Sequence, residues 1–460
     1  MADKRLLFIR ENTVMTNGIF VRHHQLALEL DAQGFFWQER FTFVGVFYSA
    51  ATAITVIGYP KYYPEPDALT HELQQGIIIA VGRICELAAR AVRALPKSVK
   101  ESDYLFDTLP ETAHQHWATP FELAQFILDD YLNYGPYVER TTLYGEHSHG
   151  QIDWLRTVGS TASVAGRDIW FPHPIRRVSA QSSPVAVSRL HLWILHECLE
   201  LLSSIGLYQD VEPPDFVHAM AEEDIKAAVA DIQKMLLHVY SERKILLLHA
   251  LKAWCEMTEH QRSRFGITSF EMVWEYSTKQ VFGNIEKTGL ARPSYVVDGV
   301  AHQGKGSPTP DIIRAERAQA GRLAYLGILD AKYYCPVCCK GAIKGAPNSA
   351  DVAKQIGYLH LLRQLHPHPD ILYCNCFLLP ALPGEVQGLY RYIGLVKSEE
   401  KQNPDIAKNL GSVAAKIEDH VLLYKVNPDE LFGMCLAGKT LSSNQFYADF
   451  VVPHQPSKNT

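Results

Sequence analysis

The spacing of apolar and polar positions changes character along the chain, and each change predicts a different kind of element. Phe41, Phe43, Gly45 and Phe47 alternate with other residues in an uncharged run that continues to Tyr59, which predicts two strands of a hairpin. From Asp67 to Leu95 apolar residues recur at helical spacing, and the run stops before Pro96, where a helix should end. A second helical segment, Pro120 to Leu132, precedes residues 141–184, whose Gly, Ser, Pro and His predict irregular structure. Val185 to Trp254 is strongly helical apart from a break at Pro213-Pro214. Beyond it the texture is mixed. A helix from Thr268 to Phe282 leads into strand-like runs and a Gly/Pro-rich link from Gln303 to Pro310. More strands, a helix from Asp351 to Leu365 and a strand from Ile371 to Leu379 follow. That order predicts a compact α/β core. Three consecutive regions result: an N-terminal α+β region over 1–140, a mainly helical linker domain over 141–261, and an α/β domain over 262–460.

The stretch from Thr309 to Tyr334 carries the candidate chemistry. Two β-suited segments, Asp311 to Ala315 and Leu323 to Tyr334, flank a polar, Gly-containing centre, which predicts an antiparallel hairpin. Folded about Ala320-Gly321, it places Asp311 opposite Asp330. Side chains alternate along a strand, so Asp330 and Lys332 share a face while Ala331 points away. Two facing carboxylates suit a hard cation such as Mg²⁺ and leave room for water and phosphate oxygens. A lysine beside them can position a water or stabilise developing charge. The bare D-x-K triplet is common among edge-strand charges. Pro310-Asp311 at the opposing end of the hairpin, with a helix following, is what raises it above coincidence. Glu275, in the amphipathic segment FEMVWEYSTKQVF, is a third candidate ligand, with Glu271 one turn earlier on nearly the same face. Gln355 and Tyr358 lie on the helix after Lys332, where Gln355 either orients a ligand or is a solvated helix position.

This pattern of helix glutamate, Pro-Asp, Asp-x-Lys and Gln-x-x-Tyr resembles the PD-(D/E)XK nucleases. Further segments resemble the LlaJI family of restriction endonucleases in particular. They are Phe43–Val46 followed by Tyr59–Tyr63, GQIDWLRTV (Gly150–Val158), RLHLWILHECLELL (Arg189–Leu202) and FGITSFEMVWE (Phe265–Glu275). The resemblance implies a restriction-endonuclease-like core, a mixed central sheet flanked by helices. It also implies cleavage of double-stranded DNA in a bacterial restriction-modification system, with Mg²⁺ as cofactor and Mn²⁺ as a substitute. A McrB-like AAA+ NTPase and a cognate DNA methyltransferase are the implied partners. Carried over residue by residue, the catalytic positions are Asp311, Asp330, Lys332, Glu275 and Gln355, with Asp311, Asp330 and Glu275 holding the metal.

Composition constrains this reading. Apolar residues make up 47% and charged residues 20%, an ordinary globular balance. The net charge of −6 argues against a free-standing, tight, non-specific DNA binder, although residues 270–345 hold ten Lys/Arg against seven Asp/Glu. Two alternatives therefore stay open: a non-catalytic adaptor that loads an NTPase onto DNA, and an end- or structure-specific nuclease of the same chemistry. The N-terminal MADKRLLFIREN lacks the apolar stretch of a signal peptide, no segment has the length and apolarity of a membrane span, and nine cysteines form an odd set. These features predict a cytoplasmic protein in a reducing compartment. Region 1–140, with no catalytic constellation, is expected to bind a partner or DNA, and the segment from Arg262 onward to fold alone.

Other signals compete less well. GMCLAGKT (Gly433–Thr440) matches the P-loop expression, but it follows Asn427-Pro428-Asp429, a helix start, so it reads as a helix ending at a glycine. Cys335, Cys338, Cys374 and Cys376 offer four thiolates for a structural zinc, but core packing and a loop account for them more simply. The pairs His114/His116, His147/His149 and His366/His368 sit in polar or Pro-rich loops without zinc-finger spacing. Trp154, between Asp153 and Arg156, either clamps DNA or anchors a neighbouring domain.

Overall fold

A computed structural model describes residues 5–94 except 50 and 53, residues 116–257 with short interruptions, residues 264–285, 294–303 except 298–299, 309–317, 323–367 except 340–341, 371–397 and 420–451. The interruptions within 116–257 are 118–119, 139, 147–148, 162, 166–167, 172, 182–184, 205–206, 209 and 213–219. The chain divides into two compact units. One joins residues 3–106 to 266–460, and the other is 107–265. Three consecutive domains were expected. Instead the N-terminal segment packs into the same unit as the C-terminal α/β segment, and residue 140 marks no boundary.

In the first unit, β1 (Arg5–Arg10), β2 (Val44–Ser49) and β3 (Ile54–Tyr59) form a sheet in which β3 runs parallel to β1 and antiparallel to β2. The β2–β3 hairpin is the one that the phenylalanine alternation predicts. Its core is aromatic: Phe35, Phe41, Phe43 and Phe47 are buried together, and the Phe35 and Phe43 rings stack at 4.0 Å. Helix α1 (His71–Arg93) buries Ile77, Val81, Ile84, Leu87 and Ala91 at helical spacing. That stripe has to be covered, and the C-terminal segment covers it. β4 (Arg264–Ile267) adds to the sheet beside β2. A side chain at Gly266 would meet the Phe43 ring and the Val44 carbonyl at 2.5 Å, so this close approach requires glycine. α2 (Phe270–Phe282) then packs against α1.

The second sheet of this unit follows. Its strands are β5 (Ile312–Arg317) and β6 (Leu323–Ala331), then, after helix α3 (Ser349–Leu365), β7 (Leu372–Pro380), β8 (Tyr390–Lys397) and β9 (His420–Val426). Their spatial order is β5-β6-β7-β9-β8. The β6–β7 and β7–β9 pairs are parallel, and the two outer pairs are antiparallel. α3 is the crossover that a parallel β6–β7 pair needs, and it covers one face through Tyr358, Leu359 and Leu362 against Ile313, Leu326 and Ile328. α2 lies on the other face, where Phe270 meets Tyr333 at 4.8 Å and the Trp274 indole N–H donates to the Leu378 carbonyl at 3.4 Å. α4 (Pro428–Leu436) completes the layer with α1 and α2. This is a mixed α/β architecture.

The GMCLAGKT match is the end of α4. Asn427 caps its start by accepting from the Asp429 N–H, and Gly438 leaves it at φ +63° while the Lys439 N–H donates to the Met434 carbonyl. That is a glycine-terminated helix, with no strand feeding a phosphate loop.

The second unit packs four helices, Pro120–Tyr134, Val185–Ser204, Glu222–Met235 and Glu242–Glu256, around Leu123, Ile127, Leu190, Ile194, Leu251 and Trp254. A part-buried pair closes it: Arg243 donates to both carboxylate oxygens of the buried Asp130, at 2.7 and 2.8 Å. Residues 141–184 correct the expectation of irregular structure. Arg176–Gln181 pairs antiparallel with Arg140–Gly145 and with Gln151–Ile152. These strands are short, and among their described side chains Tyr144, Gln151 and Arg177 are exposed, which gives little of the period-2 signal that would reveal them. Among the described residues no helix is long and apolar enough to cross a membrane.

Candidate active site

The β5–β6 hairpin carries the site, and its register is the one expected. Ile312 pairs with Leu329 and Ile313 with Ile328, so the next position outward sets Asp311 opposite Asp330. The turn itself, 318–322, lies outside the described residues. Strand alternation sends Asp330 and Lys332 to the α3 side, with Ile328, and Tyr333 to the α2 side.

The carboxylates are close and largely dehydrated. Asp330 is 1% exposed, and its Oδ1 has no hydrogen-bond partner among the described residues. Asp311 accepts the Ala331 N–H at 3.2 Å, and its pKa is pushed up to about 8, first by burial and then by its hydrogen bond and charge contact with Asp330. Two carboxylates held this way repel each other, and a cation between them relieves that repulsion. Lys332 places its ammonium 2.9 Å from Asp330 Oδ2 and 3.4 Å from Asp351 Oδ1. Burial works against that charge, but the carboxylates outweigh it and raise the Lys332 pKa, so the ammonium is fully protonated near neutrality. An orphaned buried carboxylate oxygen on Asp330, facing a second carboxylate on Asp311 with a lysine beside them, is a donor set that fits a divalent cation.

Glu275 stands apart. It is exposed on α2 at the rim of the site, close enough to feel Lys332, Asp330 and Lys354. The surrounding protein raises its pKa, assisted by Asp330 and Glu271 and opposed by Lys332. Among the described residues no three His, Cys, Asp or Glu side chains are gathered into a metal-holding group, so Glu275 does not share a closed shell with the two aspartates. Gln355 is brought nearer than a solvated helix position would be. It is buried, and its amide donates to the Ile328 and Cys376 carbonyls at 3.3 and 3.4 Å, tying β6 to β7 one step along the face from Asp330. Its Oε1 also has no hydrogen-bond partner among the described residues. Tyr358 donates to the Thr309 carbonyl at 3.1 Å and so fixes the approach to Asp311.

Sequence reasoning missed Asp351. It closes a capping box with Asn348 at the start of α3, and the same carboxylate meets Lys332 and accepts from the Tyr334 hydroxyl at 3.3 Å. The Asn-x-x-Asp spacing before an apolar run was the available signal. Cys374 and Cys376 are buried in β7, Cys335 sits near Lys61 and Glu11, and the Cys338 side chain lies outside the described residues.

Comparison with known proteins fits this geometry into a family. The family model described as LlaJI restriction endonuclease matches residues 43–397. The chain belongs to the LlaJI restriction endonuclease family. A curated relative, the Type II restriction enzyme BsuMI component YdjA of Bacillus subtilis, is 25% identical over 365 residues, spanning 76% of this chain and 72% of that protein. Among solved structures, one chain of a refined half-complex from the tetradecameric assembly of Thermococcus gammatolerans McrB AAA+ hexamers with bound McrC aligns over 94% of this chain and 99% of its own length. Its identity is 9% and its TM-score 0.35, a likeness too slight to carry an inference.

Proposed function

We propose that this protein is the nuclease of a restriction-modification system, hydrolysing phosphodiester bonds in double-stranded DNA from a PD-(D/E)XK centre at Asp311, Asp330 and Lys332. The observation that carries the reading is the facing Asp311–Asp330 pair, with Asp330 buried, Lys332 alongside and an Asp330 Oδ1 that has no partner among the described residues. Asp311 and Asp330 would hold Mg²⁺ or Mn²⁺, with Glu275 reaching in from the rim. The bound ion supplies charge neutralisation of the phosphate and lowers the pKa of water at the site.

The protein's own residues do the rest. Lys332, protonated and held between Asp330 and Asp351, donates toward a phosphate oxygen or the attacking water and offsets negative charge as the phosphorus–oxygen bond to the leaving group breaks. Asp351 and Tyr334 fix where that ammonium points. Gln355 keeps β6 and β7 in step beneath Asp330. Family membership supports companions as well: a McrB-like AAA+ NTPase that brings the nuclease to DNA and a methyltransferase that protects the host, all in the cytoplasm. The curated relative's description as an enzyme component supports the same view.

Cleavage of a covalently closed plasmid by the protein with its NTPase, with and without Mg²⁺, tests the proposal. Asp311→Ala and Lys332→Ala should each slow cleavage by about 10²–10³-fold or more while leaving the fold intact. Wild-type cleavage by either variant would sink the assignment of the centre. The adaptor reading, favoured by the acidic net charge, predicts that both substitutions leave restriction untouched.

A further inference from the structure

Where the chain leaves the catalytic strand it enters a cleft with no assigned role. Tyr334 and Cys335, following directly on Lys332 and Tyr333, form one wall. The other wall comes from the far end of the chain: Arg10, Asn12 and Thr13 after β1, and Lys61 after β3. The cavity measures about 520 Å³ and is open to solvent on one side. Tyr334 belongs both to this wall and to the catalytic network, through its hydrogen bond to Asp351. Lys332 and Tyr334 are two residues apart in extended chain, about 7 Å, so the cleft begins immediately beside the proposed centre.

The two basic side chains in the cleft differ in state. Arg10 is occupied: it is ion-paired with Glu65 and donates to the Lys61 carbonyl. Lys61 is held, and its charge acts on the Glu11 carboxylate without closing an ion pair among the described residues. Its ammonium lies 3.9 Å from the centroid of the Tyr333 ring and makes no ion pair or side-chain hydrogen bond among the described residues. The nearest anion is turned inward: Glu11 is buried, accepting the Tyr333 hydroxyl at 2.5 Å and the Lys61 backbone N–H at 3.3 Å. Aromatic support fixes an ammonium without spending its three donors. The Tyr333 ring that carries Lys61 follows Lys332 directly in the chain and turns to the opposite side, so the two cations flank the chain where it leaves β6.

We propose that this cleft is a phosphodiester subsite of the nuclease, in which Lys61 binds a backbone phosphate a few nucleotides from the scissile bond. The proposal rests on the nuclease reading and adds to it a substrate contact from the N-terminal segment. The phosphates of one strand of a duplex recur about every 3.4 Å of helix axis, so DNA seated on Lys332 extends past the cleft mouth. The contact is sequence-independent and sets the register of the duplex rather than choosing the site.

The test is binding of a short duplex to the full chain in EDTA, where no cleavage occurs, followed by fluorescence anisotropy across a salt series. Losing one phosphate contact lowers the slope of log K against log salt by about 0.9, a loss of about five- to tenfold in affinity at 0.1 M salt. Lys61→Gln should show that loss, and Lys61→Arg should retain most of the affinity and the slope. The proposal is overturned if Lys61→Gln binds like the parent, if Lys61→Arg falls as far as Lys61→Gln, or if the parent chain does not bind the duplex at low salt. Cleavage by Asp311→Ala reports separately on the centre. If that variant still cuts while Lys61→Gln loses the contact, the centre is misassigned and the cleft stands. The reverse result removes the cleft alone.

Discussion

Tyr333→Phe tests whether the N-terminal segment and the catalytic strand form one cooperative body. The substitution deletes a hydroxyl that donates to Glu11 across 322 residues of sequence at 2.5 Å and accepts the Lys61 backbone N–H at 3.1 Å. The ring keeps its contacts with Phe270 and Tyr62 and stays beneath the Lys61 ammonium. Packing is therefore conserved and the hydrogen bonds alone are lost. Glu11, 7% exposed, then keeps the Lys61 backbone N–H as its hydrogen bond among the described residues, with the Lys61 charge acting on it. A hydrogen bond to a charged, buried group is worth about 1.5–3 kcal/mol, and we expect Tyr333→Phe to cost about 2 kcal/mol. Glu11→Met alone should cost a similar amount. The double variant should cost about 1–2 kcal/mol less than the sum, because two apolar groups facing each other leave nothing unpaired. Urea unfolding gives the energies, and amide exchange should show β1 and β6 losing protection together in each single variant. Strict additivity in the double variant, or a Tyr333→Phe protein within about 0.5 kcal/mol of the parent, would refute the argument.

Two further outcomes follow from contacts already described. Asp351→Asn keeps an acceptor for the capping box but removes the charge that holds Lys332, so cleavage should slow by about 10–100-fold at unchanged duplex affinity; an unchanged rate would show that Asp330 alone positions the lysine. In the second unit His191 is buried and accepts the Tyr137 N–H at Nδ1, and burial lowers its pKa to about 4. An unfolded histidine titrates near ~6.5, so the unfolded chain takes up the proton first as the pH falls. The contribution of His191 is fully present above about pH 6.5 and is lost toward pH 4, by up to about 3 kcal/mol. The urea midpoint of that unit should fall over this window, and in His191→Gln the fall should be shallower; an identical pH dependence would sink the assignment.

What could be read from sequence was local in chain and regular in period. The β5–β6 hairpin is closed by neighbours, and its alternation fixes which carboxylates meet, so Asp311 opposite Asp330 follows from counting residues about the turn. The phenylalanine-rich β2–β3 hairpin and the helix ending at Gly438 were legible for the same reason. Pairing across long separations was not. Nothing in the residues around Glu11 announces Tyr333, and the apolar stripe of α1 says that something covers it without saying what. That gap produced the division into three consecutive domains. Asp351 was hidden differently: its cap role satisfies the local pattern, and its second role depends on where β6 ends in space.

The split composition of the first unit has a consequence for how the protein is made. Residues 3–106 emerge from the ribosome first, and their complement begins only at residue 266. At ordinary translation speeds the intervening stretch takes roughly 8–30 s to synthesise. The aromatic core between Ile9 and Val56 can close within that interval, but the buried stripe of α1 has no α2 to meet and stays open to chaperones or to other nascent chains. Asp330 and Lys332 are translated later still, and β9, which completes the sheet interior beside β7, comes from residues 420–426. A chain interrupted at any earlier point lacks the scaffold that faces Asp311 with Asp330. If that pair is the nuclease centre proposed above, prematurely terminated products should leave the chromosome of the cell that makes them uncut.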